Sequence, residues 1–154
     1  MARSGITVRA AMVVALVVGV ASGVLWAVWA RSGRLVPEPS LLAAGLLVLI
    51  AVLVLALAWP VRRYLHGRAR HLLDPVRAAR TVALAQAAAL TGAAAAGWYG
   101  GQLAAVAPDL ELLANQGRAW RLLLLTVLSA TLCGAGLVAQ RWCRVQPPDD
   151  PEER

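Results

Sequence analysis

Few residues in this chain could carry chemistry, and they fall into three groups. The first is His66, His71 and Asp74, in the pattern H-x4-H-x2-D. Metal ligands on one helix favour spacings of three or four, where side chains meet on the same face. Only His71 and Asp74 have that spacing, and Asp74 is better used as the cap of a helix beginning at Pro75. The second group is Gln86, Thr91, Gln102, Thr126, Ser129 and Thr131, uncharged polar residues inside long apolar blocks. Hydrogen bonds between helices account for them. A wet cavity lined by Gln86, Gln102 and Thr126 would instead mark a path for a small solute. The third group is the basic stretch 62–80, with Arg62, Arg63, Arg68, Arg70, Arg77 and Arg80 against the single acid Asp74. It fits anionic lipid headgroups or a partner protein, and its plainer reading is a topology signal. Glycine-rich phosphate loops, Ser/His pairs and carboxylate pairs are absent from the sequence. No catalytic residue, metal ligand or cofactor is therefore expected, and the chain is read as a non-enzyme.

The elements around these residues are long and apolar. Of the 154 residues 60% are hydrophobic, and the mean hydropathy is +0.66. The apolar residues come in blocks of membrane-spanning length rather than in stripes, so the class is an all-α membrane protein. The spans are expected at about 10–30, 41–61, 81–107 and 122–140. Together they make one transmembrane domain over 1–144, followed by an acidic, proline-rich tail at 145–154. A net charge of +7 would point to nucleic acid in a soluble chain. Here every basic residue is arginine and the arginines flank the apolar blocks, so the expected partner is the bilayer and not nucleic acid. Cys133 and Cys143 lie ten residues apart on one expected helix. That is about 15 Å, too far for a disulfide within the chain.

The third span organises the rest. Thr81 to Ala107 contains no charged residue, and Pro108 and Asp109 stop it. At 100° per residue Gln86, Ala93, Gly97, Gly100 and Ala104 share a stripe with Gly101 at its edge. Leu84, Trp98, Tyr99 and Val106 point mostly elsewhere. A stripe without bulk lets another backbone approach, and Gly97-x-x-x-Gly101 is a close-packing pattern in membranes. Gly19-x-x-x-Gly23 on the first span is a second one. One pattern is expected to serve inside the bundle and the other to remain for a second copy or another membrane protein.

The first span is read as a retained membrane helix and not a signal peptide cleaved after Ala21. Its apolar run continues past that site and ends in Trp26 and Trp29. The second span, rich in leucine and valine, is expected to face lipid and to kink or end at Pro60. Leu110, Leu112 and Leu113 are expected on the membrane surface, with Gly117 breaking that turn. The two ends and the middle loop hold eleven arginines, and the other two loops hold four. The positive-inside rule then places both termini in the cytoplasm and gives a multi-pass protein of the cytoplasmic membrane, with helices running up-down-up-down.

Three segments, LDPVRAARTVALAQAAALTG, AGWYGGQ and WCRVQPPDDPEE, carry a resemblance. Together they resemble a family of small actinobacterial membrane proteins, the domain of unknown function three-one-eight-zero. The likeness covers nearly the whole chain. It includes the four-span layout, Pro75, Ala78, Ala79 and Arg80 at the start of the third span, and the Cys-Arg-x-x-Pro-x-Asp ending. The resemblance implies no enzyme activity. It implies genes beside folate-biosynthesis genes, which amounts to a shared operon and not a folate site.

Overall fold

The computed structural model describes residues 6–32, 40–65, 75–109 and 113–142, with the backbone alone at 60–65, 75–79, 109 and 113–115. The described residues form four α-helices and one short 3-10 turn, without a strand. They are α1 (Val8–Arg31), α2 (Leu41–Leu65), α3 (Pro75–Val106) and α4 (Leu113–Trp142), with the turn Ala107–Asp109 following α3. Three stretches are long and apolar enough to cross a membrane: Val8–Arg31, Leu41–Trp59 and Gln116–Trp142. α3 is long enough at 32 residues, but alanine, glycine, threonine and glutamine dilute its hydropathy.

That dilution follows from where α3 sits. It packs against α1 on one side and α4 on another, and also touches α2. A helix enclosed by others needs small residues for close approach more than it needs apolar bulk. The outer helices show the converse. Only 11% of the apolar window in each of α1 and α2 is buried. Leu16, Val20, Val24 and Val28 of α1 and Leu42, Leu46, Leu49 and Leu53 of α2 are exposed. In water such faces would be an aggregation hazard; in lipid they are the solvated surface.

Directions follow from which residues meet. Gly19 lies against Gly97 and Gly23 against Gly101, the same offset in the same sense, so α1 and α3 are parallel. Gly92 meets Cys133 while Gly136 meets Ala89, so α3 and α4 are antiparallel. The core common to α2, α3 and α4 contains Val54, Ala58, Ala85, Ala88, Leu132 and Ala139, with Trp142 packed against it. Trp59 and Trp142 meet edge to face at 6.4 Å at one end. Towards the other end Trp26 makes the same kind of contact with Trp29 and Trp98.

Two local expectations are corrected. Of the kink or end expected at Pro60, the end is ruled out, because the second helix continues to Leu65. Proline removes one backbone donor and crowds the preceding turn, and a membrane helix tolerates this when neighbours satisfy the freed carbonyl. Gly117 does not break the approach to the fourth span, because it lies inside α4 with open space around it. Interior glycine costs roughly 0.5–1 kcal/mol, too little to stop a cooperative 30-residue helix. Leu110 and Leu112 lie outside the described residues.

The capping of α1 is local. The Thr7 hydroxyl accepts from the Ala10 amide, which serves one of the free donors of the first turn. At the other end the Ser32 amide donates back to the carbonyls of Trp29 and Ala30.

Candidate functional site: the helix contacts of α3

The tightest places in the fold are two backbone-to-backbone contacts made by α3. Towards α1, a Cβ on Gly97 would collide with the Ala15 carbonyl oxygen and sit 2.9 Å from the Gly19 nitrogen. A Cβ on Gly101 would collide with the Gly19 carbonyl and lie 2.7 Å from the Gly23 nitrogen. The reciprocal positions on α1 are looser. A Cβ on Gly19 would stand 3.4 Å from the Gly97 carbonyl, and one on Gly23 would stand 3.5 Å from that of Gly101. Glycine is thus more strongly required on α3 than on α1. Ser22, 1% exposed, locks the same contact by donating to the Trp98 carbonyl at 2.8 Å.

Towards α4 the arrangement repeats with other residues. A Cβ on Gly92 would collide with the Cys133 backbone and lie 2.9 Å from the Ser129 carbonyl. A Cβ on Gly136 would lie 2.6 Å from the Ala85 carbonyl and 2.9 Å from the Ala89 Cα. Neither Gly92 nor Gly136 stood out in the sequence. Small residues four apart on the facing helices, Ala85/Ala89 and Ser129/Cys133, were the signal that could have found them.

The stripe read from the sequence therefore does not act as one seam. Ala93 is buried and Gly97 and Gly101 pack on α1, whereas Gly100 has only the Thr126 methyl, 3.8 Å from where its Cβ would be. Gln86 is half-buried, and Ala104 is exposed. A stripe drawn by angle assumes that two helices stay together along their length. The glycine contacts on α1 run from Ala15 to Gly23, and Ala104, nearly a turn beyond Gly101, is exposed. A second correction follows. Gly19/Gly23 and Gly97/Gly101 are packed on each other, so neither pair is left over for a partner.

Three of the hydroxyls expected to bond between helices bond within their own helix instead. Thr126 donates to the Leu122 carbonyl, Ser129 to Leu125, and Thr131 to Val127 and Leu128, all within α4. Ser22 links α1 to α3, and the Gln140 amide of α4 donates to the carbonyl of Ile6, just before α1, at 3.1 Å. Gln102 is buried at 6% exposure, and Thr91 is exposed.

The basic group is covered only in part. Arg80 is exposed at the start of the described side chains of α3. Arg62, Arg63 and Arg77 are described by backbone alone, in α2 and α3. Arg68, Arg70, His66, His71, Asp74 and Cys143 lie outside the described residues. Among the described residues no three His, Cys, Asp or Glu side chains gather where a metal could sit.

No curated protein and no solved structure matches the chain significantly. One family model does, and it runs over residues 12–147, from the second turn of α1 to beyond the end of α4. By that match the chain belongs to the family described as "Protein of unknown function (DUF3180)".

Proposed function

We propose that this protein works by association in the cytoplasmic membrane, as a non-enzymatic accessory subunit, and neither turns over a substrate nor carries a solute. One observation carries the reading. α3 meets both α1 and α4 backbone to backbone, and the Thr126, Ser129 and Thr131 hydroxyls turn back onto their own helix. Contacts this close leave no width for a solute between those helices, and hydroxyls occupied locally do not form a polar track. Transport coupled to protons or ions would also need ionisable groups within the spans. Between Thr81 and Ala107 no residue is charged, and Tyr99 is the one titratable side chain. What α1 and α2 leave uncovered is apolar and wide, and it suits lipid, a second copy or the spans of a larger complex.

α3 crosses the membrane too on this reading. It runs alongside α1 and α4 in register, and a helix packed along two spanning helices lies at their depth. The arginine distribution orients the bundle with both termini and the Arg62–Arg80 loop inside, where anionic headgroups are concentrated. Reporter fusions after residues 35, 70, 112 and 154 are expected to read out, in, out, in. An outward signal at 70 would overturn the orientation.

The competing reading is a carrier or channel subunit for a small neutral solute, which needs no charge on its path. Buried Gln102 is the residue that would serve it. Purified protein in liposomes separates the two. We expect permeability to a panel of sugars, polyols and amino acids to equal that of empty liposomes, while gentle detergent extraction recovers a stable complex. Saturable flux of any one solute, abolished by Gln86→Leu or Gln102→Leu, would refute association.

A further inference from the structure

α3 differs from the other helices in what could hold it across a membrane. Leucine, isoleucine and valine are among the residues that draw a helix into the bilayer. They make up 12 of the 19 residues over Leu41–Trp59 of α2, but only five of the 27 between Thr81 and Ala107. The same stretch of α3 carries Gln86 and Gln102, whose amides are costly to place in hydrocarbon, and the glycines Gly92, Gly97, Gly100 and Gly101. The stretches apolar enough to cross by their own composition belong to α1, α2 and α4. What α3 has instead is neighbours. α1 closes on it at Gly97 and Gly101, and α4 at Gly92. The Ser22 hydroxyl adds a bond to the Trp98 carbonyl. Gln102 is buried and Gln86 half-buried, so packing removes their amides from lipid. α2 contributes less, because it packs chiefly on α4.

We propose that α3 is a conditional span: it crosses the membrane because α1 and α4 hold it there, and not through its own affinity for lipid. Close backbone contact holds membrane helices together without help from the hydrophobic effect. The glycines that permit this contact are also residues that lower the apolarity of α3, so the sequence exchanges lipid affinity for packing. Either neighbour is enough. When α1 opens at Gly97, Gly92 and Gly136 still join α3 to α4, and the reverse holds at Gly97 and Gly101. With both parted, α3 returns to the cytoplasmic side, where Arg77 and Arg80 precede it. The fold thus contains an element with two positions, and α1 and α4 together set the balance between them. This rests on the reading that α3 crosses at all, and the experiment below separates the two.

The test uses the full chain in cells, with Cys133 and Cys143 replaced by alanine and Glu111→Cys as the one thiol. A membrane-impermeant maleimide given to intact cells labels that thiol only where it lies outside, and labelling after lysis gives the total. A short pulse of synthesis reads the position before degradation removes a misfolded chain. We expect nearly complete outside labelling of the parent chain. Gly92→Leu with Gly97→Leu blocks both contacts while making α3 more apolar and more helix-prone. Outside labelling is expected to fall at least about threefold, the opposite of what lipid affinity alone would give. Gly97→Leu with Gly136→Leu blocks the same two contacts with one change on α4, and is expected to match it. Ala87→Leu with Ala104→Leu adds two leucines at exposed positions and should label like the parent. Full labelling of both contact variants overturns the conditional span and leaves the crossing itself standing. Equal loss in the Ala87 and Ala104 variant overturns it too, since that change leaves the contacts intact. A parent chain that is not labelled from outside overturns the crossing and the proposal together.

Discussion

Gly136→Leu is expected to unfold the protein in detergent under conditions where Gly134→Leu does not. The two glycines lie two residues apart on α4, so their substitution changes helix propensity and hydropathy alike. Their surroundings differ. At Gly136 a Cβ would stand 2.6 Å from the Ala85 carbonyl and 2.9 Å from the Ala89 Cα; at Gly134 it would meet nothing within 4 Å. The obstructing atoms are backbone in mid-helix and cannot rotate aside as a side chain end could. The helices must separate, and separation opens the contacts around Ala85, Ala88, Leu132 and Ala139 that join α3, α4 and α2. Overpacking typically costs roughly 1–3 kcal/mol, and this site belongs at or above the top of that range. Gly134→Leu should cost nothing and should recover roughly 0.5–1 kcal/mol of helix propensity, as its position is exposed and open. Gly92→Leu, with the Cys133 and Ser129 backbones against it, should behave like Gly136→Leu. Thermal loss of the monodisperse peak measures all three, and equal midpoints for the Gly136 and Gly134 variants would refute the contact.

The same contrast shows how much the sequence could tell. The four helices were legible because lipid imposes a length on apolar blocks, and Val8–Arg31 and Gln116–Trp142 satisfy it. The ends of helices were less legible. Pro60 reads as a kink or an end and Gly117 as a break because their local costs are known, while the cooperativity that carries the helix through both belongs to the whole helix. Membership of the family was legible in three short segments, and the match over residues 12–147 establishes it. Gly97 and Gly101 were legible as a place of close approach, but their partner was not. Gly-x-x-x-Gly states that a backbone can come near, and nothing in either copy of the pattern names the other. Gly92 and Gly136 were missed because each stands without a second glycine four residues away; alanine, serine and cysteine supply the other small positions. Gln140 was invisible for a different reason. It lies at the edge of the apolar block, and its meaning depends on a carbonyl at the far end of the chain, that of Ile6.

Gly97→Leu is the second large effect, and it is expected to detach one helix and leave the rest associated. α1 depends on α3. The backbone contact at Gly97 and Gly101, the Ser22 bond to the Trp98 carbonyl and the Trp26–Trp98 contact all bind it there. The core of α2, α3 and α4 contains no residue of α1. A leucine at Gly97 drives into the Ala15 carbonyl and removes these supports together, while Gly92 and Gly136 still join α3 to α4. The result is an opening confined to one unit of the fold. A thiol at Ser22 reports it, since that side chain is 1% exposed. In a background with Cys133 and Cys143 replaced by alanine, Ser22→Cys should resist a maleimide in mild detergent. Adding Gly97→Leu should make it react readily, with α2, α3 and α4 still resistant to protease. Adding Ala104→Leu should leave it protected, because Ala104 shares the stripe by angle but is exposed in the fold. Ala95→Leu would be a poorer control, because Ala95 is half-buried. If Ala104→Leu exposes the thiol as fully as Gly97→Leu, the backbone contact at Gly97 is not what holds α1 to α3.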